Sequence, residues 1–334
     1  MANGRRLTRV AIISALVAAC TAPAWTAQQP ATTPRPPAAT RPATPVPATA
    51  QPPTKVGPPA ALSAVLPPTA NSSVRFAVLG DTGTGDRPQY EVGAQLAKAR
   101  DVFPFEFVIM LGDNMYGGER PQDFQRKFEL PYKPILDANI PFYASLGNHD
   151  DPNQRFYKPF NMNGDRYYSF KKDKLGNPGV RFFALDSNYM TRDQLQWLEK
   201  ELAASDSPWK IAFFHHPLYS SGERHGSEVD LRTQLEPLFL KYGMSVVFAG
   251  HEHFYERMRP QKGIHYFTAG GSAKLRVGNI ATSSALTALG FDTDHTYMLV
   301  EIAGEQMNFQ TLTRGGKRID SGTITRPAAR AATQ

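Results

Sequence analysis

Residues 108–118 have the sequence VIMLGDNMYGG. The apolar run ends at Gly112, Asp113 and Asn114 follow directly, and Tyr116 comes two residues after Asn114. An apolar run of this kind is typical of a buried strand, and a carboxylate directly after it lies at the edge of the sheet. An aspartate in this position is usually a turn or helix-cap residue. The nearby tyrosine raises a second possibility, that its phenolate binds the same partner as Asp113.

The same design recurs along the chain. The other runs are RFAVLGD, PFYASLGNHD, KIAFFHHP and VVFAGHEH, which end at Asp81, at Asn148 and His149, at His215 and His216, and at His251 and His253. Because ligands of open α/β sheets bind at the carboxyl ends of the strands, we expect these side chains to lie close together. We also expect the glycines at 80, 112, 147 and 250 to let the backbone turn sharply before each polar group.

Helical patterns separate the strand-like runs, over residues 89–100, 124–138, 191–204 and 231–242. The second pattern is broken by Pro131 and Pro134, and the third begins with Thr191 and Gln194 in capping-box spacing. This alternation predicts an α/β layered fold with a largely parallel or mixed sheet. After Ile264 the strand-like runs follow one another directly, which predicts antiparallel pairing at the end of the folded domain.

The N-terminus has the pattern of an export signal over residues 1–27. A basic segment precedes an apolar run, residues 10–19, that is too short to span a bilayer. The only cysteine, Cys20, follows that run and resembles a bacterial lipoprotein processing site. The alternative is an ordinary signal peptide cut after Ala27, which would discard Cys20. We therefore expect export to the periplasm or cell surface, with membrane attachment if Cys20 is lipidated.

Residues 28–72 are rich in Pro, Ala and Thr, which predicts a disordered linker that cannot bury a core. Residues 73–326 are predicted to form one folded domain, and residues 327–334 a tail. Six of the 37 Lys and Arg residues precede residue 73 and one follows residue 326, which leaves 30 to balance the 30 Asp and Glu. The domain therefore has no excess of basic residues, and we expect no nucleic-acid partner.

The polar groups at the strand ends fit two metal ions better than one. A structural zinc site uses about four ligands, often cysteines, whereas the predicted domain offers more donors and has no cysteine. Carboxylate, amide and imidazole donors in this number suit two ions that share a carboxylate. His251 and His253 are two apart on an extended chain, so they point the same way, and Glu252 points away from them.

The ordered motifs GDTG, GDN, GNHD, HHP and GHEH resemble those of the calcineurin-like metallophosphoesterases, over about residues 74–313. GDNMY, GNHD and GHEH resemble the small purple acid phosphatases of the tartrate-resistant type. The resemblance implies an α/β/β/α sandwich, with mixed central sheets flanked by helices. It also implies one Fe(III) and one Fe(II), Zn or Mn ion. The ligands would be Asp81, Asp113, Tyr116 and His253 for the first ion, and Asp113, Asn148, His215 and His251 for the second.

Tyr116 suits the first ion because an anionic phenolate is a hard donor for a trivalent cation. The alternative is an aromatic side chain that packs beside a divalent ion. The motif also assigns the ligand role to His215 rather than to His216. We expect His216 to be partly buried and hydrogen-bonded, or to lie at the rim of the pocket.

The resemblance implies a phosphoric ester hydrolase, an acid phosphatase that uses a metal-activated hydroxide on small phosphate esters. His149 would stabilise the transition state or protonate the leaving group, with His225 as a second candidate acid. Asp150 would orient His149 or cap the following turn, and His225 has the alternative of a solvated loop residue. Two other functions stay open: a phosphodiesterase for cyclic nucleotides or other diesters with a divalent centre, and a non-catalytic, anchored metal-binding surface protein.

Overall fold

The structure is a computed structural model that describes residues 65–174 and 177–326. The predicted export signal with Cys20, most of the predicted linker and the tail from residue 327 lie outside the described residues. The predicted domain boundaries therefore stay predictions. Among the helices of the described ranges, none combines the length and the apolar character that a membrane crossing needs.

The described residues form strands and helices in alternation, followed by a strand-rich end. In chain order the strands are β1 (Val74–Leu79), β2 (Phe107–Met110), β3 (Phe142–Ala144), β4 (Tyr168–Lys174), β5 (Asn177–Ala184), β6 (Trp209–Phe214), β7 (Val246–Ala249), β8 (Tyr255–Met258), β9 (His265–Ala269), β10 (Thr287–Phe291), β11 (Thr296–Ala303), β12 (Gln306–Thr313) and β13 (Arg318–Thr325). The α-helices are α1 (Arg87–Val102), α2 (Pro121–Phe124), α3 (Lys133–Asp137), α4 (Arg192–Ala204) and α5 (Val229–Lys241).

The first sheet has six strands in the order β13-β12-β11-β1-β2-β3. Strands β1, β2 and β3 run parallel, as expected for strands joined through helices. Strand β11 pairs antiparallel with β1 and continues into the antiparallel series β11, β12 and β13. The predicted antiparallel pairing at the end of the domain is confirmed for these three strands.

The second sheet has seven strands in the order β10-β8-β9-β7-β6-β5-β4. Strands β5, β6, β7 and β9 are parallel, whereas β4, β8 and β10 are antiparallel to their neighbours. The prediction of antiparallel pairing after Ile264 holds for β9 on the side of β8 and was wrong on the side of β7, with which β9 pairs parallel. The chain first turns back as β8, so that β9 enters the sheet between β8 and β7 and runs parallel to β7.

The two sheets face each other across an aromatic core, and helices cover their outer faces. In that core the ring of Phe76 lies 5.3 Å from Phe107 of the same sheet and 5.2 Å from Phe182 of the other. Side chains of α1 and α3 join the core on the outer face of the first sheet, and those of α4 and α5 join it on the second. The predicted α/β/β/α architecture is confirmed.

The helices follow the predicted patterns with local differences. The interrupted pattern over residues 124–138 becomes the end of α2, a π-helical turn (Gln125–Glu129) and α3, because its prolines cannot continue the backbone hydrogen bonds. Helix α4 begins after Thr191, whose hydroxyl accepts the backbone N–H of Gln194 at 3.2 Å. The Gln194 side chain instead donates to the carbonyls of Asp186 and Tyr189 at 3.0 and 3.1 Å, and so ties the helix to the loop after β5.

Candidate metal centre

The predicted polar strand ends meet at one edge of the sandwich, where the loops after β1, β2 and β3 face those after β6 and β7. Leu111, at the end of β2, accepts a hydrogen bond from the His215 ring across the two sheets, with 2.9 Å between its carbonyl oxygen and Nδ1. The structure brings all seven predicted ligands together here. They form two adjoining groups that share Asp113.

The first group contains a phenol, a carboxylate and an imidazole. The Tyr116 hydroxyl donates to Asp81 Oδ1 at 3.1 Å and lies 3.2 Å from His253 Nε2. That nitrogen lies 3.4 Å from Asp81 Oδ1. Donor atoms of Asp81, Asp113 and His253 all lie within 4.8 Å of one another, a separation that suits ligands of one ion.

The second group contains an amide and two imidazoles. Asn148 Oδ1 lies 2.9 Å from both His215 Nε2 and His251 Nδ1, and these two nitrogens are 3.1 Å apart. Asp113 Oδ1 lies 3.4 Å from His215 Nε2, so its carboxylate faces this group as well as the first. This position between the groups is the one that a bridging carboxylate needs.

His215 is oriented by its other ring nitrogen. Because Nδ1 lies at hydrogen-bond distance from a backbone carbonyl, it carries the proton, and the lone pair of Nε2 faces Asn148 and Asp113. A hydrogen bond of this kind is the usual support of a histidine that binds a metal. The side chain is fully buried, which fixes the ring further.

The glycines before the ligands act through close approach more than through their backbone angles. Of the four predicted to turn the chain, only Gly112 has a positive φ, 84°; Asp81, Asp113 and His251 themselves adopt φ of 56°, 50° and 69°. A Cβ at position 80 would lie 2.6 Å from a backbone oxygen. At positions 147 and 250 it would meet the Asp113 backbone and the Asp81 carboxylate at 2.1 and 2.7 Å. The predicted turning role was therefore wrong for these three glycines.

The electrostatics of the two groups favour a bound cation. Burial, and next the Asp113 carboxylate, raise the pKa of Asp81 well above its usual range. Burial, and next the neighbouring histidines, lower the pKa of His251 to about 2, and burial also lowers the pKa of His253 to about 4. Burial and the carboxylates of Asp81 and Asp113 raise the pKa of Tyr116. Neutral imidazoles with free lone pairs beside carboxylates that repel each other are an unfavourable arrangement unless a cation joins them.

His216 has the partly buried, hydrogen-bonded position expected for the second histidine of the pair. Its Nδ1 lies 2.9 Å from Ser187 Oγ, which also accepts the backbone N–H groups of His215 and His216 at 3.2 and 3.0 Å. Ring nitrogens of His215, His216 and His251 lie within 4.8 Å of one another. Because Ser187 engages Nδ1 of His216, only its Nε2 is left to face the centre.

His149 and His225 lie over the two groups and are both exposed. The His149 ring is 4.9 Å from the Tyr116 ring, and its backbone N–H donates to Asp113 Oδ1 at 3.0 Å. The His225 ring is 4.3 Å from the His251 ring. Each imidazole can therefore approach a molecule bound at the centre from the solvent side.

Two carboxylates that flank the ligands in sequence brace the loops. Asp150 accepts the backbone N–H groups of Gly147, Asn114 and Met115 at 2.8, 3.1 and 2.9 Å, so it joins the loops after β2 and β3 rather than orienting His149. Glu252 points away from the ligands, as predicted, but it is fully buried and accepts the backbone N–H groups of His225 and Gly226 at 3.2 and 2.8 Å. Glu252 therefore holds the loop that carries His225.

Two features of the site were missed by the sequence analysis. The loop after β5 supplies Ser187 to the histidine pair, yet its sequence DSNYM has no motif that marks it. Lys274, after β9, places its ammonium group 4.6 Å from the centre of the Tyr116 ring, and a lone lysine in a long loop gives no signal in the sequence.

Comparison with known proteins agrees with this geometry. Residues 74–255 match the family described as calcineurin-like phosphoesterase. The chain is 27% identical over 237 residues to tartrate-resistant acid phosphatase type 5 of Rattus norvegicus, covering 60% of this chain and 72% of that protein. It is 35% identical over 226 residues to purple acid phosphatase 15 of Arabidopsis thaliana, covering 55% of this chain and 40% of that protein.

Solved structures share the fold at lower identity. The purple acid phosphatase PPD1 from yellow lupin seeds has a TM-score of 0.63 at 19% identity, over 77% of this chain and 54% of that one. GAP50, described as the anchor in the inner membrane complex of Plasmodium, has a TM-score of 0.68 at 18% identity, over 78% of this chain and 90% of that one. At these identities the two structures support the fold alone.

Single substitutions in the two ligand groups should lower the metal content of the protein in steps of about one ion. The protein is expected to bind about two metal ions per chain. His253→Ala removes a ligand of one group and should leave about one ion, whereas Asp113→Ala removes the shared carboxylate and should leave almost none. Metal analysis by mass spectrometry after gel filtration measures this. His265→Ala, in β9, is the control and should keep both ions; equal metal loss in all three variants would contradict the assignment.

Proposed function

The chain belongs to the calcineurin-like phosphoesterase family, and we propose that it is an acid phosphatase that hydrolyses phosphate monoesters at a dinuclear metal centre. The family match and the similarity to acid phosphatases identify the protein as a metal-dependent phosphoester hydrolase. The preference for monoesters is the proposal. The observation that carries it is the contact of the Tyr116 hydroxyl with both Asp81 Oδ1 and His253 Nε2, the donors of the first group.

We assign a trivalent ion, Fe(III), to the first group. Burial and two carboxylates oppose ionisation of Tyr116 in the protein alone, so a strongly charged cation is needed to hold it as a phenolate. The second group offers an amide oxygen and two imidazoles beside the shared carboxylate, a donor set that suits Fe(II), Zn or Mn. The ligands are those predicted: Asp81, Asp113, Tyr116 and His253 for the first ion, and Asp113, Asn148, His215 and His251 for the second.

The residues around the centre divide the work of ester cleavage. When held by the two ligand groups, the ions would supply charge stabilisation for the phosphate and the acidity that makes water a nucleophile. Asp113 and Asn148 hold the two groups side by side, and Ser187 fixes the loop that carries His215. The glycines at 80, 147 and 250 let the loops approach closely enough for these side-chain contacts.

His149 and His225 are the proposed acids. Both imidazoles are exposed next to the ligand groups, so either can stabilise charge on the phosphate or donate a proton to the leaving oxygen. Glu252 is a positioning residue for His225, because its carboxylate binds the backbone of that loop. A solvated loop histidine, the alternative for His225, would not need such a buried brace.

The two other functions have less support. A diesterase with a purely divalent centre leaves the contacts of Tyr116 without a purpose. A non-catalytic anchored protein is compatible with the fold, since GAP50 is described as an anchor, but the full set of predicted ligands in contact favours an enzyme. We also propose export to the periplasm or cell surface, with Cys20 as a lipid anchor, and this rests on the sequence of residues 1–27.

Hydrolysis assays with the loaded protein test the monoester preference. We expect p-nitrophenyl phosphate to be cleaved with a kcat/KM at least about tenfold above that of bis(p-nitrophenyl) phosphate, because a dianionic monoester interacts more strongly with two cations. Removing the metals with a chelator should abolish both activities, and adding iron and zinc should restore them. A higher kcat/KM for the diester would contradict the proposal.

Leaving-group dependence tests the two histidines. His149→Ala and His225→Ala should each lower kcat for an alkyl phosphate about 10²-fold or more, because an alkoxide needs a proton as it leaves. The loss should be smaller for p-nitrophenyl phosphate, whose phenolate leaves without one. His265→Ala serves as control. An equal loss on both substrates would show that the histidine does not act as the acid.

A further inference from the structure

A cavity of about 440 Å³ opens beside the second ligand group. The proposed function has so far given this cavity no role. Its lining includes Gly147, Asn148 and His216, which lie next to the centre. The loop after β5, Arg166 and Glu228 also line it. A phosphate bound at the centre therefore has an open cleft at its side that is large enough for an organic leaving group.

The cavity has an aromatic residue in its lining. Tyr189 is 61% exposed, and the Arg166 guanidinium lies 4.8 Å from the centre of its ring. Arg166 is fixed in turn by the buried carboxylate of Asp186, with 2.6 Å between Nε and Oδ2. The guanidinium thus supports the ring on one side, and the ring has a broad exposed surface for a ligand.

A hydrogen-bond acceptor lines the same space. Glu228 is a lining residue, and its side chain ends in a carboxylate. Asn188 also lines the cavity, but its amide nitrogen donates to the carbonyls of Leu146 and Gly147 at 3.2 Å each and its Oδ1 is buried from solvent. Asn188 therefore shapes the wall, whereas the Glu228 carboxylate favours a ligand that donates hydrogen bonds, such as one with hydroxyl groups.

The charge of the cavity is not positive. The charge of Arg166 is balanced by Asp186, and Glu228 adds a negative charge. A leaving group that carries a second phosphate or a carboxylate would meet no unbalanced cationic side chain in this lining and would be repelled by Glu228. The lining therefore favours an uncharged leaving group.

We propose that this cavity is a subsite for the leaving group and that it selects monophosphates of hydroxylated rings, such as hexose 6-phosphates. The inference rests on the proposed monoesterase function and names the substrate class of that site. In the reaction the ester P–O bond breaks and a new P–O bond forms to the oxygen of water. The sugar oxygen takes a proton, so the products are the free hexose and inorganic phosphate. Tyr189 packs against the ring, and Glu228 accepts its hydroxyl groups.

Three substrates with similar primary leaving oxygens test the subsite: glucose 6-phosphate, cyclohexylmethyl phosphate and ethyl phosphate. The kcat/KM of the wild-type protein should be highest for glucose 6-phosphate and at least about tenfold lower for ethyl phosphate. Tyr189→Ala should lower the value for glucose 6-phosphate about tenfold and change that for ethyl phosphate less than about twofold. Tyr189→Phe should behave like the wild type, because it keeps the ring.

Phe156→Ala is the matched control. Phe156 is 64% exposed and also has an arginine over its ring, Arg155 at 4.4 Å, but it does not line this cavity. This variant should keep all three kcat/KM values. Equal values for the three substrates, or a Tyr189→Ala loss that is the same for glucose 6-phosphate and ethyl phosphate, would overturn the subsite. A preference for cyclohexylmethyl phosphate would overturn the role of Glu228 as an acceptor of hydroxyl groups.

Failure of the proposed function gives a different result. If the metal-loaded protein hydrolyses none of the three esters, the monoesterase proposal fails, and calorimetry then compares binding of the same three compounds. Tighter binding of glucose 6-phosphate, weakened about tenfold by Tyr189→Ala and unchanged by Phe156→Ala, would still support the subsite. Equal binding by the wild type and Tyr189→Ala would overturn it.

Discussion

The metal centre depends on how closely the loops of two separate sheets approach each other at one edge of the sandwich. Glycines at 80, 147 and 250 make this possible, because a Cβ at any of them would overlap a neighbouring backbone or carboxylate. Close approach puts Asp113 within reach of both ligand groups. It also places carboxylates and uncharged imidazoles together in a buried space. Such a set of donors is stable when cations join them, so packing of the backbone and metal binding support one another.

Much of the fold and of the centre could be predicted from the sequence, because each strand that supplies a ligand ends in the same local pattern. Apolar runs that stop at a glycine and a polar side chain identify β1, β2, β3 and β7, and the run that ends in the histidine pair identifies β6. The predicted ligands lie at or just after these ends, and their assignment to two ions comes from the resemblance to the phosphoesterase family. Strands β4, β5, β8 and β10 were missed. Strands β4, β8 and β10 lie at or near a sheet edge, where the apolar pattern is weak, and β5 ends without the glycine or the histidine pair that marks the other strands.

The supporting residues could not be predicted, since their partners are distant in the chain. Asp150 joins two loops, and Glu252 holds the backbone of the loop with His225. Ser187 supports both histidines of the pair from a loop without a motif. The same loop carries Asn188 and Tyr189 into the cavity beside the centre. One short connection after β5 thus supports His215 and lines the cavity that we propose for the leaving group, and only the folded structure reveals this.

The visible absorption spectrum of the oxidised, iron-loaded protein, recorded beside that of Tyr116→Phe, tests the central claim most directly. A phenolate bound to a trivalent iron gives a charge-transfer band that colours the protein. We predict a band in the wild type that is absent from Tyr116→Phe when absorbance is compared per bound iron, with iron measured on the same samples. A colourless wild type with both metals bound, or a band that survives the substitution, would contradict the assignment of Tyr116 and of Fe(III) to the first ligand group.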